Sequence, residues 1–277
     1  MTGGEIATAV AEQRLPGRVW MYANYHCNIA CLYCLTESGP KVARRALSPD
    51  TMLAVGRQAK QLGFTHLGVT GGETFLQPHM PDVLASLADL LPTVALTNAT
   101  LFSRRLLDRV APLAGRDIAL QISLDRPDAD VNDAMRAPEN FRKVVTAIPA
   151  LVERGITVRI ATTVESIADA ELDRLCALHR ELGIPDSDHI IRPIVRRGRA
   201  QAMGLGIDAT QSDLPAELTI TADGSFWGPF GPTVHDGRLD TDLLITRTTL
   251  PLDVPARALL GLLENRSPGA DSTLNIR

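Results

Sequence analysis

From Val19 onward the sequence alternates between short β-branched or apolar runs and amphipathic stretches of roughly a dozen residues. This alternation is typical of repeated βα units around a parallel sheet. It predicts six strands, at residues 19–24, 66–70, 93–97, 117–124, 157–163 and 189–195. A chain with this pattern is restricted to the α/β class.

The amphipathic segments predict helices near residues 48–62, 80–91, 103–113, 141–154 and 169–182. Several end in a glycine, which readily adopts the left-handed conformation of a helix C-cap. These glycines are Gly63, Gly115, Gly155 and Gly183. Six βα units are fewer than the eight of a closed barrel, so we expect a partial barrel with catalytic groups on the loops after the strands.

After Arg199 the alternation stops. Residues 218–230 read as a hairpin around Asp223-Gly224, and residues 255–264 as a final helix. We therefore divide the chain into an N-terminal extension (1–18), a partial barrel (19–200) and a small C-terminal cap (201–277).

Composition narrows the class of protein. With 277 residues, 45% of them hydrophobic, the chain can bury a full core. A net charge of -4, from 28 Lys and Arg against 32 Asp and Glu, makes nucleic acid an improbable partner. No uncharged stretch reaches the roughly 20 residues of a membrane-spanning helix, and no signal peptide precedes the first strand. We therefore expect a cytoplasmic protein.

Three of the four cysteines, Cys27, Cys31 and Cys34, follow the first strand with the spacing C-x3-C-x2-C. A structural zinc site normally has four protein ligands, and only His26 could complete the set nearby. Three thiolates suit a cubane iron-sulfur cluster whose remaining iron is open to a ligand. A zinc site and a metal-free cluster of buried thiols are the alternatives.

A second motif, Gly71-Gly72-Glu73, follows the second strand. Glycines allow the backbone to approach a ligand closely, and the Glu73 carboxylate can accept hydrogen bonds from an ammonium group. Alone, the same residues would be read as an ordinary loop.

Together the two motifs resemble the radical S-adenosylmethionine (radical SAM) superfamily, whose signature is C-x3-C-x-aromatic-C followed by Gly-Gly-Glu. The resemblance implies a partial (β/α)6 barrel in which Cys27, Cys31 and Cys34 hold one [4Fe-4S] cluster. It also implies that SAM chelates the open iron and is reductively cleaved to a 5′-deoxyadenosyl radical, which takes a hydrogen atom from a substrate. The electron donor would be a flavodoxin or ferredoxin.

The resemblance assigns SAM contacts to several strand ends. Tyr33 matches the aromatic residue placed near adenine, and Gly72 and Glu73 match the motif that binds the methionine amine. Asn98 lies at the family's Thr-Asn-Gly position, where Ala99 replaces the usual glycine.

Further matches point to the peptide-modifying and sulfatase-maturating branch. Ser123 would contact the SAM carboxylate or ribose, and Ile194 would lie near adenine. Arg136 would pair with the carboxylate, because a guanidinium binds a carboxylate through two parallel hydrogen bonds. Its alternative interpretation is a solvated loop cation. In the same segment Arg126 replaces a glycine of the branch.

The resemblance changes in the C-terminal cap. The branch carries a SPASM extension with cysteines for auxiliary clusters, whereas residues 224–237 contain none. The resemblance therefore implies a degenerate SPASM extension, and a redox-neutral reaction such as epimerisation is favoured over crosslinking. Phe226, Trp227 and Phe230 would either wall a pocket over the cluster or pack against the barrel edge.

The substrate implied by the resemblance is a ribosomal peptide. A small natural-product intermediate, such as a sugar or nucleoside, is the alternative, and a non-catalytic iron-sulfur module is a second one. Because only 26 residues precede the cluster motif, a peptide would be recognised with help from a separate protein. Cys176 reads as a buried helix thiol, with a hydrogen-atom donor as its less expected role.

Overall fold

The structure is a computed structural model that describes residues 3–265. The ends of the predicted extension and cap, residues 1–2 and 266–277, lie outside the described residues.

The described chain alternates helices and strands. The helices are α1 Gly3–Ala11, α2 Pro49–Gln61, α3 Met80–Ala88, α4 Arg104–Val110, α5 Ala129–Met135, α6 Asn140–Val152, α7 Asp169–Glu181, α8 Arg199–Ala202 and α9 Asp253–Glu264. The strands are β1 Arg18–Tyr22, β2 His66–Thr70, β3 Thr93–Thr97, β4 Ile118–Ser123, β5 Thr157–Val164, β6 His189–Pro193, β7 Leu218–Thr221, β8 Gly224–Trp227, β9 Val234–His235, β10 Arg238–Leu239 and β11 Leu244–Thr246. None of the helices within residues 3–265 is long and apolar enough to span a membrane.

The six predicted strands form neighbouring parallel pairs in chain order, from β1 to β6. The whole sheet has nine strands in the order β11-β8-β7-β1-β2-β3-β4-β5-β6, and it does not close within the described residues. The predicted α/β partial barrel is confirmed. Because the six strands run in one direction, the loops after them meet at one edge of the sheet.

The predicted hairpin is also confirmed, since β7 and β8 pair antiparallel around a turn at residues 222–223. The sequence did not show that β7 also pairs in parallel with β1, with Val19 opposite Leu218. The described part of the predicted cap therefore continues the barrel's sheet.

Two of the three cap aromatics belong to the core. Phe226 and Trp227 are 0% and 1% exposed and pack within the main apolar cluster, so of the two alternatives packing against the barrel holds for them and the pocket wall does not. The reason is that every residue of β8 is buried, as in a sheet covered on both faces. Only Phe230 of the three lines the cleft described below.

Three helices were missed by the sequence analysis: α1, α5 and the four-residue α8, which follows β6. The first, α1, lies in the predicted N-terminal extension and contacts α9, where Arg14 pairs with Glu264 at 2.5 Å. The second, α5, follows β4 and is capped by Asp128, whose carboxylate accepts hydrogen bonds from the amides of Asp130 and Val131. The Asp128 cap is a signal that the sequence did contain. Helix α5 is important because Arg136 directly follows it.

If β8 belongs to the barrel's core, Phe226→Ala should destabilise the whole protein. Loss of a fully buried phenylalanine costs about 3–5 kcal/mol of unfolding free energy. Urea denaturation of the metal-free protein should show one transition shifted to lower urea. Leu262→Ala, at a side chain that is 45% exposed on α9, is the control and should shift it far less. A Phe226→Ala variant whose main transition is unchanged would contradict the shared core.

Candidate functional site

One cleft at the carboxyl ends of the parallel strands collects most of the predicted site residues. Its empty volume, including the part open to solvent, is about 1070 Å³. The predicted residues that line it are Cys27, Cys31, Tyr33, Cys34, Gly72, Asn98, Ser123, Arg136 and Ile194. Glu73 and Cys176 are the two predicted site residues that do not line it.

The three motif cysteines lie on an irregular segment, residues 27–34, between β1 and α2. Burial raises the pKa of Cys27 to about 12 and that of Cys31 to about 11. Without metal these two thiols are therefore protonated at neutral pH. Because iron binds the thiolate, loading the site must release protons.

Within residues 3–265, no three His, Cys, Asp or Glu side chains are close enough to share a single metal ion. A cubane cluster does not need that convergence, because each cysteine binds a different iron. The three thiols on one cleft wall fit such a group.

Gly72 allows β2 to lie against the cysteine segment. A Cβ at this position would lie 2.2 Å from the carbonyl oxygen of His26 and 3.0 Å from the amide nitrogen of Cys27. The next amide, of Glu73, donates to that same His26 carbonyl at 3.0 Å. The Gly-Gly pair thus permits a close backbone contact that fixes the start of the cysteine segment.

The other side of the segment is held by the turn after β6. Arg199 donates from Nη1 to the Cys31 carbonyl at 2.7 Å and from Nη2 to the Ser38 carbonyl, while its amide donates to the Cys34 carbonyl at 3.0 Å. Gly198, at φ +57°, allows this approach because a Cβ would lie 2.4 Å from the Leu35 carbonyl oxygen. The sequence analysis gave Arg199 no role.

The Glu73 carboxylate is already satisfied by the chain. It accepts hydrogen bonds from the Phe75 amide at 3.0 Å, the Thr97 hydroxyl at 2.7 Å and the Asn98 amide at 2.8 Å. Burial raises its pKa above the usual range. In this arrangement Glu73 ties the end of β2 to the end of β3, and its predicted contact with the methionine amine stays a prediction.

Asn98 lies beside the first cysteine. Its side-chain amide is 3.6 Å from Cys27 Sγ and donates to Asn28 Oδ1 at 3.0 Å. Ala99, which replaces the family's usual glycine, has φ +56°. This left-handed backbone explains why glycine suits the position.

Arg136 forms a buried network with Asp125 and Tyr33. The guanidinium is 3.0 Å from Asp125 Oδ2 and also donates to the Tyr33 hydroxyl, which in turn donates to the same carboxylate. Arg136 is only 6% exposed, so it is not a solvated loop cation. Its Nε has no hydrogen-bond partner among the described residues. Sequence reasoning missed Asp125, although the residue lies within the matched strand-end motif.

Ser123 and Ile194 line the cleft at the ends of β4 and β6. Ser123 ends β4, and its hydroxyl forms no hydrogen bond with the residues that the structure describes. Ile194 follows β6 and is 2% exposed. The cleft thus presents one free hydroxyl and one apolar side chain to a ligand.

Cys176 lies elsewhere. Its Sγ, on α7, is 3.9 Å from His189 Nδ1, and His189 Nε2 lies 2.8 Å from the Thr162 hydroxyl. Since Cys176 does not line the cleft, its position gives no support to a role as hydrogen-atom donor.

The sequence of residues 21–177 matches the model of the Radical SAM superfamily. A probable GTP 3′,8-cyclase of Archaeoglobus fulgidus is 30% identical over 54% of this chain and 50% of the relative. Mycofactocin maturase MftC of Mycobacterium tuberculosis is 27% identical over 72% of this chain and 47% of the relative. The chain thus spans about half the length of these curated relatives.

Two solved structures share the fold. Streptococcus suis SuiB bound to precursor peptide SuiA matches with a TM-score of 0.60 at 18% identity, over 76% of this chain and 47% of SuiB. Native anSMEcpe with bound AdoMet matches with a TM-score of 0.59 at 13% identity, over 89% of this chain and 83% of anSMEcpe. At these identities the likeness concerns the fold alone.

Gly72→Ala should prevent assembly of the metal site. The added Cβ would meet backbone atoms of His26 and Cys27, which cannot move without displacing the cysteine segment. We expect iron and sulfide contents after anaerobic reconstitution to fall well below those of the unaltered protein. Gly261→Ala is the control, since nothing lies within 4 Å of its Cβ. Full iron incorporation by Gly72→Ala would show that the close contact is dispensable.

His179, which packs edge to face on His189, should make the free energy of unfolding depend on pH. Burial lowers the pKa of His179 to about 3, below the value of about 6.5 in an unfolded chain. Its stabilising contribution is therefore complete above pH 6.5 and is lost as the pH falls toward 3, because the unfolded state binds the proton first.

His179→Phe should reduce the slope of unfolding free energy against pH, between pH 6 and 4, by up to about 1.4 kcal/mol per pH unit. Urea denaturation of the metal-free protein across this range measures the slope. Leu262→Ala, which removes no titratable group, should leave it unchanged. An unaltered slope in His179→Phe would mean that the buried ring does not titrate as described.

Proposed function

Because the chain belongs to the radical SAM superfamily, we propose that it is a radical SAM enzyme whose cofactors are SAM and one [4Fe-4S] cluster. The observation that carries this proposal is that three cysteines, one buried and two partly buried, line one cleft together with Ser123 and Arg136. A module that only held a cluster would not need a free hydroxyl at the end of β4 and a buried guanidinium at the end of α5 in the same cleft.

In this proposal Cys27, Cys31 and Cys34 ligate the cluster. Ser123 and Arg136 bind the SAM carboxylate, for which Arg136 has an unpaired buried Nε. When bound, the cluster and SAM supply the 5′-deoxyadenosyl radical that takes a hydrogen atom from the substrate.

The chain's other residues orient SAM and exclude water. Tyr33 and Ile194 lie by the adenine, with Gly72, Glu73 and Asn98 on the methionine side. The aromatic ring of Phe230 lines the cleft and keeps bulk solvent from a reactive radical.

For the substrate we infer a ribosomal peptide. Support comes from the similarity to mycofactocin maturase MftC and from the shared fold of SuiB, whose structure contains a precursor peptide. Phe226 and Trp227 are in the core and do not contact such a substrate. A flavodoxin or ferredoxin would donate the electron, a separate protein could present the peptide, and the clustered cysteines fit a reducing cytoplasm.

A second candidate substrate is a small natural-product intermediate, a nucleotide included. The observation that favours it is the 30% identity to a probable GTP 3′,8-cyclase. Incubating the reduced enzyme separately with candidate precursor peptides and with nucleotides discriminates the two, because only the true substrate transfers deuterium from its labelled position into 5′-deoxyadenosine.

The reaction is proposed to be redox-neutral, such as an epimerisation. The chain has only one cysteine, Cys176, beyond the cluster motif, so it lacks thiolates for an auxiliary cluster that could accept substrate electrons. A product that has lost two hydrogens would contradict a redox-neutral reaction and would indicate crosslinking or dehydrogenation instead.

Ser123→Ala tests the SAM site without disturbing the fold, because the hydroxyl has no partner among the described residues. Loss of a hydrogen bond to a carboxylate should weaken SAM binding by about 1.5–3 kcal/mol, or one to two decades in Kd. SAM titration by calorimetry on the reconstituted protein measures this loss. Ser86→Ala, at an exposed serine on α3, is the control. An unchanged SAM affinity in Ser123→Ala would show that the Ser123 hydroxyl does not contact SAM.

Glu73→Ala and Arg136→Ala are less informative, because both side chains also hold the strand ends together. The catalytic proposal itself fails if the reduced, cluster-loaded protein binds SAM but forms no 5′-deoxyadenosine and methionine. That outcome would leave the non-catalytic iron-sulfur module as the better interpretation.

A further inference from the structure

A second guanidinium, that of Arg192, lies in the wall of the cleft at the end of β6. Arg192 is opposite Thr163 of β5 in the sheet register, and both residues line the cleft. The Nε of Arg192 is buried and has no hydrogen-bond partner within residues 3–265. Nothing that the proposed function uses accounts for this charge.

The neighbouring arginines differ in that each has partners. Arg136 is paired with Asp125, Arg199 binds backbone carbonyls, and Arg197 is paired with Asp240 at 3.0 Å. Burial lowers the pKa of Arg192, yet a guanidinium remains protonated at physiological pH. Arg192 is partly buried, and its Nε is shielded from solvent. A guanidinium in this position without an anion is unfavourable, so we expect the site to receive one.

Asp125 does not supply that anion. Its Oδ2 accepts hydrogen bonds from Tyr33 and Arg136, and its Oδ1 accepts one from the Thr163 amide at 2.9 Å. Of the two guanidinium groups, this carboxylate is therefore bonded only to that of Arg136. One positive charge on the β6 side of the cleft is left for a ligand.

The SAM carboxylate is better placed for Arg136 than for Arg192. Arg136 donates to the hydroxyl of Tyr33, which lies between Cys31 and Cys34, and the Met135 carbonyl beside it accepts from the Leu32 amide at 2.9 Å. Arg192 instead lies on β6, opposite Thr163 of β5. Arg136 is thus the guanidinium beside the cluster ligands, where the SAM carboxylate would lie. Arg192 faces the part of the cleft between β5 and β6, which remains for the substrate.

We propose that Arg192 binds a carboxylate of the substrate, so that the enzyme selects a substrate with an acidic group close to the reacting carbon. This inference rests on the proposed function. The planar guanidinium can hold a carboxylate through two parallel hydrogen bonds, which fixes both the position and the orientation of the substrate. In a peptide the group is either an acidic side chain or the chain-terminal carboxylate.

Three small probes distinguish these sources: acetyl-Gly-Glu-amide, acetyl-Gly-Gln with a free C-terminus, and acetyl-Gly-Gln-amide. Their binding to the cluster-loaded, SAM-bound enzyme is measured anaerobically by saturation-transfer NMR, which needs no turnover. At least one carboxylate probe should bind about ten- to a hundredfold more tightly than the amide. The probe that does so identifies the source.

Arg192→Gln should abolish that difference, and Arg192→Lys should keep part of it, because lysine retains the charge without the planar fork. SAM affinity should stay unchanged in both. Arg142→Gln, on the exposed face of α6, is the control for loss of a positive charge.

Equal binding of the three probes, or no binding of any at millimolar concentration, would overturn the proposal. A weaker SAM affinity in Arg192→Gln with an unchanged probe difference would also overturn it, since Arg192 would then belong to the SAM site. Formation of 5′-deoxyadenosine without any probe tests the radical SAM activity separately, so failure of one proposal is distinguishable from failure of the other.

Discussion

The cysteine segment depends on contacts from outside itself, because it forms neither helix nor strand. Its backbone groups must therefore be paired with other parts of the chain. The Met135 carbonyl accepts from the Leu32 amide at 2.9 Å, and Arg199 binds the carbonyls on the far side. Gly72 allows the β2 end to approach closely enough to join them. The positions of the three thiols thus depend on Gly72, Met135 and Arg199, which are distant from one another in sequence. The strand order of the barrel brings these three residues together around the cysteine segment.

Much of the fold could be predicted because buried parallel strands carry continuous apolar runs, and the six predicted strands are all present. The pairing of β7 with β1 could not be predicted, since two strands about 200 residues apart leave no local trace of their register. Helix α5 was missed because it is short and polar. The sequence left two alternatives for Phe226 and Trp227, because an aromatic pair has the same pattern in a core and in a pocket wall.

The candidate site divides in the same way. Motif spacing identified the cysteines and Gly72, since these residue types are required by the chemistry itself. Asp125, Arg199 and Arg192 carry no such requirement, and their roles arise from the tertiary structure. Asp125 forms an ion pair with Arg136, and Arg199 donates to backbone carbonyls. The Nε of Arg192 is buried without a hydrogen-bond partner among the described residues. Burial, full for Asp125 and partial for Arg192 and Arg199, separates them from the many exposed arginines of this chain, and burial of a polar residue is hardest to infer from sequence.

The parallel pairing of β1 with β7 has a consequence for the order of assembly on the ribosome. β1 emerges about 200 residues before β7, so one of its edges has no partner until residues 218–221 follow. During that interval the nascent sheet exposes unpaired amide and carbonyl groups beside the cysteine segment, a surface that invites pairing with other chains. Native contacts between distant segments also slow folding, because a long loop must close before they form. Capture of iron by the thiols therefore competes in time with completion of the sheet that positions them.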